Sequence, residues 1–176
     1  MTKISGIKYG SNAHNSTNQT NFMHRFFITL LSAFLTMNAL ADTEAQRKEH
    51  YNLSGGLAIQ GYDPVAYFSG APKKGNPNFS YKLDGVTYRF ASAKNREAFK
   101  ANPEKYEPQY GGWCAYALSD GNGKVKINPD SYKIIDGKLY LFFSRGFLGN
   151  TLKRWNKGSD SQQIVQANKA WSKYIP

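Results

Sequence analysis

Two short segments, each built around an Asp-Gly pair, constrain the fold of this chain more than any other feature. In residues 79–90 and 132–143, runs rich in aromatic and β-branched residues stand on both sides of the Asp-Gly pairs at 84–85 and 136–137. An Asp-Gly pair between two such runs is the favoured sequence for a two-residue type I′ turn. The sequence therefore predicts two β-hairpins.

The two hairpin segments also resemble each other. Residues 84–92 and 136–144 share Asp, Gly, Tyr, Phe and Ser at matching positions, 52 residues apart, and a helical stretch is expected after each copy. One interpretation is an internal duplication that makes a pseudo-symmetric core. The other is that Asp-Gly turns and aromatic strands recur by chance, since two copies are fewer than a repeat architecture requires.

Short helical segments are expected between the hairpins. Asp63 followed by Pro64 has the pattern of an N-cap and a first helical residue, which opens a short turn. Ser92 is a predicted N-cap for a helix over 93–101, and the Asn-Pro pair at 102–103 ends that helix or restarts it as a second turn.

The remaining segments complete an α+β pattern. Two helical stretches are expected over 147–157 and 161–174, and residues 70–78, with two prolines and two glycines, have the composition of a loop. The apolar run 113–118 fits either a helix or a strand. We expect a small single α+β domain, with two β-hairpins packed with helices and further helices at the C-terminal end.

The N-terminal segment has the three parts of a secretory signal peptide. Phe26–Met37 is an uninterrupted run of apolar and small residues, too short to cross a bilayer as a helix, which needs roughly 20 residues. Arg25 supplies a basic residue before the run, and an A-x-A motif ending at Ala41 follows it. We expect translation to start at Met23 and cleavage after Ala41; a buried core helix is the alternative.

Export sets the expected organisation of the chain. Residues 1–22, polar and rich in asparagine, are either a long n-region of the signal peptide or the product of an upstream start codon taken for the true one, and whether they are translated stays open. After cleavage, residues 42–56 form a polar lead-in and residues 57–176 the domain. The predicted location is periplasmic or secreted, with no stable membrane insertion once the signal peptide is removed.

The charge balance is strongly basic but does not indicate nucleic acid. The whole chain carries a formal net charge of +11. Removing Lys3, Lys8 and Arg25 from 23 Lys and Arg leaves 20 against all 12 Asp and Glu, or +8. The basic residues are scattered, and the one dense group lies within residues 153–157. We therefore expect no nucleic-acid partner, and a small ligand or an envelope component instead.

The inventory of reactive side chains argues against common enzyme classes. Only one histidine, His50, and one cysteine, Cys114, remain after residue 41. Ser-His-Asp and Cys-His arrangements need an imidazole held against the nucleophile, so both are disfavoured. There is no CxxC pair and no phosphate-binding G-x-x-x-x-G-K-[ST] motif. The sequence favours a non-catalytic protein, with carboxylate chemistry as the remaining enzymatic alternative.

Residues 108–116 hold the most distinctive candidate site. Gly111 and Gly112 permit positive φ or close approach of the backbone to another group, and three aromatic residues nearby could line a pocket. Cys114 follows at a possible helix start, where a solvent-exposed thiol would gain thiolate character. A buried cysteine acting as a small apolar residue is the other interpretation, and both stay open.

Several motifs together resemble one family. They are Gly61–Phe68; Tyr88 with Phe90 and Ser92; Asn95 with Phe99, Asn102, Pro103 and Tyr106; Pro108–Gly112 with Cys114 and Ala115; and Asp136–Leu141 with Trp155. This set, spread over about residues 57–171, resembles the exported YHS-domain proteins of bacteria.

The resemblance implies a fold more than an activity. The wider YHS group is similar to small metal-binding TRASH-type modules, in which a hairpin and a helix carry cysteine ligands. The corresponding positions here are Ala91 and Asn95, which cannot act as thiolate ligands. The resemblance therefore supports a YHS/TRASH-like fold and weakens the metal assignment.

The expected function is that of an exported non-catalytic binding module of YHS type. Its candidate ligand-binding residues are Tyr62, Asp63, Tyr110, Gly111, Gly112, Trp113 and Cys114. The alternative is a single-thiolate protein that binds a soft metal or haem through Cys114. The sequence requires no cofactor.

Overall fold

The computed structural model describes residues 43–175. The chain separates into two units, Met1–Ala41 and Asp42–Pro176, and the described residues all belong to the second. The predicted start codon, signal peptide and cleavage site lie outside the described residues.

The described residues alternate short helices with two pairs of longer strands. The α-helices are α1 (43–50), α2 (Ala93–Ala101), α3 (Pro103–Tyr106), α4 (Ala115–Ser119), α5 (Thr151–Trp155) and α6 (Asp160–Trp171). The strands are β1 (Leu53–Ser54), β2 (Leu57–Ala58), β3 (Asn76–Leu83), β4 (Val86–Phe90), β5 (Asn128–Ile135) and β6 (Lys138–Phe142). Short 3₁₀ helices span Ile59–Gly61, Ala66–Ser69, Gln109–Gly112 and Gly146–Leu148. The molecule is a mixed α+β domain, as the sequence predicts.

The first predicted hairpin lies in a four-stranded sheet with the order β1-β2-β4-β3. β3 and β4 are antiparallel, and the turn residues Asp84 (φ 43°) and Gly85 (φ 80°) both take the positive φ of a type I′ turn. β2 pairs parallel to β4, with Leu57 opposite Thr87. The first hairpin prediction is confirmed.

The second predicted hairpin forms a separate two-stranded sheet from β5 and β6. Its turn residues Asp136 (φ 49°) and Gly137 (φ 71°) repeat the conformation of the first turn. The second hairpin prediction is confirmed as well.

Both hairpins begin earlier in the chain than the sequence patterns predict. Each starts at an Asn-Pro pair whose asparagine Oδ1 accepts the backbone N–H two residues on: Asn76 from Asn78 at 2.9 Å, and Asn128 from Asp130 at 3.0 Å. A register shift follows each pair before regular pairing begins. The loop prediction is therefore wrong for residues 76–78, because the bulge and the local side-chain bond accommodate a proline at the start of a strand.

In each half, a residue that precedes the hairpin in the chain pairs parallel with the second strand of that hairpin. Leu57 pairs parallel with Thr87 of β4, and Pro108 pairs parallel with Leu139 of β6. Pro108 follows Leu57 by 51 residues, and Leu139 follows Thr87 by 52. We call residues 57–101 the first half and residues 108–155 the second half.

A backbone hydrogen bond at equivalent positions relates the halves further. The Asp63 N–H donates to the carbonyl of Lys73 at 2.9 Å, and the Cys114 N–H donates to the carbonyl of Val125 at 3.0 Å. A chance recurrence of Asp-Gly turns would reproduce neither this bond nor the parallel pairing. The structure therefore supports the internal duplication.

The aromatic core also repeats. In the first half the ring of Phe99, on α2, lies 5.2 Å from that of Phe90, on β4; in the second half Trp155, on α5, lies 5.3 Å from Phe142, on β6. All four side chains are fully buried. Each hairpin is thus covered by the helix that follows it.

The C-terminal elements partly differ from their predictions. The segment expected to be helical over 147–157 is an α-helix only over Thr151–Trp155 and is preceded by the 3₁₀ turn Gly146–Leu148. The ambiguous run 113–118 is helical from Ala115 to Ser119. Within residues 43–175 no helix has the length and apolar character needed to cross a membrane.

Candidate functional site

The candidate residues predicted from sequence lie in four different surroundings. Tyr110 and Gly111 line a surface cleft, whereas Asp63 and Cys114 are fully buried. Tyr62 and Trp113 are half-buried on other parts of the surface, and the carbonyl of Gly112 accepts a hydrogen bond from Asn52 Nδ2 at 2.9 Å. They do not form one site.

Asp63 is a buried carboxylate with all of its bonding capacity occupied by the fold. Oδ1 accepts the backbone N–H groups of Val65 and Ala66, at 2.8 and 3.3 Å. Oδ2 accepts the backbone N–H of Ala91 at 2.8 Å and Asn95 Nδ2 at 2.6 Å. Four donors satisfy a carboxylate in the interior, so Asp63 acts as a structural link between the segment before β3 and the start of α2.

The same contacts show what Ala91 and Asn95 do in this fold. Both Ala91 and Asn95 donate to Asp63 Oδ2, which fills the space between them with an internal hydrogen-bond network. Across residues 43–175 there is no group of three or more His, Cys, Asp and Glu side chains placed to hold a metal ion.

Cys114 is the equivalent of Asp63 in the second half. Its Sγ accepts the backbone N–H of Phe143 at 3.4 Å and lies 3.2 Å from Thr151 Oγ1 at the start of α5. The side chain is 0% exposed. A thiol in this position contributes to packing and cannot reach a ligand in solution without local opening of the core.

The cleft lies between α3, the 3₁₀ helix Gln109–Gly112, α6 and the segment after α1, and has a volume of about 280 Å³. Its wall includes the backbone of Gly111 and the side chains of Tyr51, Glu104, Glu107, Tyr110, Asn168 and Trp171. It therefore combines aromatic rings with carboxylates.

A left-handed backbone turn creates the floor of this cleft. Tyr110 and Gly111 both have φ of 57°. A Cβ atom on Gly111 would lie 2.6 Å from Cδ1 of Tyr51 and 3.1 Å from Cη2 of Trp171. Only glycine allows the two rings to approach the backbone here, which is the role of close approach that the sequence pattern predicts.

The aromatic wall is continuous. The ring of Trp171 lies 6.1 Å from that of Tyr51 and 6.4 Å from that of Tyr110. The hydroxyl of Tyr110 donates to Asn168 Oδ1 at 2.9 Å, which ties α6 to the turn. Burial raises the pKa of both Tyr51 and Tyr110 above the usual range, so both phenols stay protonated at neutral pH.

An ion pair between Arg47 and Glu107 packs against the ring of Tyr51. Arg47 of α1 is buried, donates to both carboxylate oxygens of Glu107, and lies with Cζ 4.7 Å above the ring of Tyr51. The Tyr88 hydroxyl also donates to Glu107. Burial acts to lower the pKa of Arg47, but the bond and charge of Glu107 outweigh it and the net shift is upward. The carboxylate of Glu107 is thus paired with Arg47 within the fold, while Glu104 is exposed at the rim.

Sequence reasoning missed most of the cleft. Tyr51 and Arg47 come from the segment interpreted as a polar lead-in, and Trp171 comes from the helix predicted over 161–174, to which no binding role was assigned. No local pattern connects positions that lie 60 residues apart, as Arg47 and Glu107 do. The signal that could have indicated them is the excess of aromatic residues beyond what the two hairpins use.

Trp113 belongs to a neighbouring cluster. Its Nε1 donates to the carbonyl of His50 at 2.6 Å, and Lys124 Nζ lies 4.2 Å above the ring of Tyr174 and 3.0 Å from His50 Nδ1. This side of the aromatic surface is already occupied by a lysine of the chain itself.

A larger groove of about 510 Å³ lies between α4 and α6. Ser119, Val165 and three glutamines line it. Lacking rings and ionisable groups, this groove offers a ligand fewer distinctive contacts than the smaller cleft, which we take as the candidate site.

No protein-family model, curated protein or solved structure matches this chain.

Proposed function

We propose that the chain is an exported, non-catalytic binding module of YHS type, and that its ligand is a small organic cation held in the cleft. The observation that carries the proposal is the cleft of about 280 Å³ beside the left-handed turn at Gly111, whose wall includes the rings of Tyr51 and Trp171 packed against the glycine backbone. Such a space between packed aromatic residues is typical of a small-molecule site.

The chemistry of the wall favours a positively charged ligand with a flat apolar part. Aromatic faces attract cations and stack on planar groups. The carboxylate of Glu104 lies at the rim, in the first turn of α3, whereas that of Glu107 is paired with Arg47. A ligand that places its ring against Trp171 and its ammonium near Glu104 would use both features.

The same residues argue for binding without catalysis. The phenols of Tyr51 and Tyr110 are protonated at neutral pH and so act as hydrogen-bond partners, not as bases. His50 lies in the neighbouring cluster beside Lys124. The cleft therefore offers recognition groups but no nucleophile paired with a base.

The proposal can be tested with two ligands that differ in one group. Tryptamine and tryptophol have the same indole ring, but only tryptamine carries an ammonium. We expect tryptamine to bind more tightly by several-fold, or about 1 kcal/mol, as measured by calorimetry. The change Glu104→Gln should remove the difference, while Glu97→Gln, at an exposed position on α2, should leave it intact.

Native mass spectrometry of protein purified from the periplasm provides a second measurement. We expect a small retained mass in the parent protein and its loss in Trp171→Ala. If neither indole compound binds and no mass is retained, the cleft is not a ligand site and the proposal fails.

A further inference from the structure

The chain presents two large apolar side chains to solvent at the tip of one short loop. Phe147 is 98% exposed and its neighbour Leu148 is 52% exposed. Both lie in the segment Arg145–Gly149, which we call the Phe147 tip. Single exposed apolar residues are common on protein surfaces, but a fully exposed phenylalanine beside a leucine is a marker of an interaction site.

The Phe147 tip is a built structure with a closed base. The Arg145 N–H donates to the carbonyl of Gly149 at 3.1 Å, and the Leu148 N–H donates to the carbonyl of Arg145 at 2.9 Å. Ser144 and Asn150 pair as an antiparallel bridge below it. The loop therefore holds Phe147 away from the core in a defined position.

The corresponding connection in the first half has no such loop. In the first half, Ser92 follows β4 and caps α2 directly, with its side chain accepting the N–H of Asn95. The equivalent residue in the second half is Ser144, but here the five residues of the tip intervene before Asn150 caps α5. The tip is an insertion between a strand and the helix that covers it.

The sequence on both sides of the tip is basic. Residues 137–159 contain five basic residues and no acidic residue. All five are exposed: Lys138, Arg145, Lys153, Arg154 and Lys157. Lys153 and Arg154 lie on the outer face of α5, whose Trp155 is buried in the core. Phe147 and Leu148 thus lie within a basic stretch of the sequence.

We propose that the Phe147 tip docks the protein on the surface of an anionic lipid bilayer. Phe147 and Leu148 enter the interface between headgroups and acyl chains, and the basic side chains contact lipid phosphates. Shallow apolar insertion combined with basic residues is the general pattern of peripheral membrane binding.

A lipid surface fits the tip better than a folded protein partner does. A stable protein interface buries about 800 Å² on each side around a central apolar patch. Two side chains on a projecting loop cannot supply such a patch, whereas a fluid bilayer adapts to a small projection. The basic residues are complementary in charge to anionic headgroups, which favours a bilayer as the partner.

The test places a reporter at the tip itself. In Phe147→Trp the new indole is exposed, so the melting temperature should stay unchanged. Vesicles of equal parts phosphatidylglycerol and acyl-brominated phosphatidylcholine should quench this tryptophan, because bromine quenches only on contact. The matched control is Val165→Trp, at another exposed apolar position on α6, which should show no added quenching.

A second comparison measures the contribution of the basic side chains to vesicle binding. Replacing Arg145, Lys153 and Arg154 by glutamine should weaken vesicle binding at least about tenfold. The same loss of charge at the exposed positions Lys94, Lys126 and Lys169 should have a much smaller effect.

Three results would overturn the proposal. They are an unquenched tryptophan at position 147, equal quenching at 147 and 165, and equal binding to vesicles of phosphatidylcholine alone. The chain already has three tryptophans, so quenching at position 147 is measured as the excess over the parent protein, and attachment of the chain to vesicles through another segment would not produce this excess. The test is also independent of the cleft ligand.

Discussion

Asp63 and Cys114 occupy equivalent positions in the two halves and accept a backbone N–H through different atoms, carboxylate oxygens in one case and a thiol sulfur in the other. Each receives the backbone N–H of the residue that follows a hairpin, Ala91 in one case and Phe143 in the other. The carboxylate accepts four hydrogen bonds in all, whereas the thiol is a weak acceptor. The first half should therefore depend more heavily on its linking residue than the second half does.

Asp63→Asn should destabilise the protein by about 2–4 kcal/mol, because an amide NH₂ would face N–H donors that it cannot satisfy in the interior. Urea unfolding measures the effect as a lower midpoint with an unchanged slope. The exposed Asp120→Asn is the control and should change stability by less than about 0.5 kcal/mol. Equal effects at the two positions would contradict the role assigned to Asp63.

Cys114 should behave as a core residue toward thiol reagents. Alkylation by iodoacetamide should be slower in the native protein than in denaturant by a factor of about 1,000 or more, because reaching Sγ requires opening of the core. Addition of Cu(I) or haem should not change the native rate. Fast native labelling that is blocked by either ligand would instead support the soft-metal or haem alternative.

Asp160 links stability to pH. Burial acts to raise its pKa, but hydrogen bonds from Lys133 and Trp155 outweigh it and leave the pKa below 3.8. Since the folded state favours the ionised form, this contribution is present above about pH 4 and is lost as the pH falls through the folded value. Stability curves of the parent and of Asp160→Asn should therefore converge in acid. A constant difference at all pH values would contradict this expectation.

At the level of elements, the two hairpin turns look alike but have different neighbours. A Cβ atom on Gly85 would lie 2.5 Å from Cγ of Glu44 and 2.9 Å from Cε of Lys48, both on α1, whereas a Cβ on Gly137 would meet nothing within 4 Å. The helix over 43–50 thus covers the first turn, and the second turn is open.

Gly137→Ala should cost about 1 kcal/mol through its positive φ alone. Gly85→Ala should cost more, because the side chains of Glu44 and Lys48 must also move aside. Thermal unfolding of the two variants measures the difference. A larger loss at Gly137 would show that α1 does not lie over the first turn.

Local chemistry accounts for which elements could be predicted from sequence. The Asp-Gly turns and the Ser92 cap depend on residues within a few positions of one another, so the sequence predicts them. The strand starts at Asn76 and Asn128 were missed because a proline there argues against a strand unless a bulge accommodates it. The cleft was missed in larger part, since Arg47 and Trp171 reach Glu107 and Gly111 only through tertiary packing.

For the whole molecule, the two halves share one core cluster, and a second cluster is formed within residues 110–167. The cluster that contains Val86 and Phe90 of the first half also contains Ile127, Leu139 and Leu141 of the second half. Neither half can expose its share without opening the other. The two halves should consequently unfold together.

Phe99→Leu and Trp155→Leu test this cooperativity from either half. Each substitution should lower the midpoint of a single unfolding transition. That midpoint should be the same by far-ultraviolet circular dichroism and by tryptophan emission. Replacing an exposed residue of similar size, as in Phe147→Leu, should leave that midpoint in place. Two separate transitions, one for each substitution, would contradict a shared core.

The closed base of the Phe147 tip has a consequence for how proteins of this architecture can diverge. Because the pairing of Ser144 with Asn150 closes the chain before the loop projects, changes in the length or composition of the tip do not reach the buried residues on either side. Selection can therefore alter what this loop contacts while the rest of the molecule is kept. Among evolutionary relatives, insertions and substitutions should concentrate between the residues equivalent to 144 and 150.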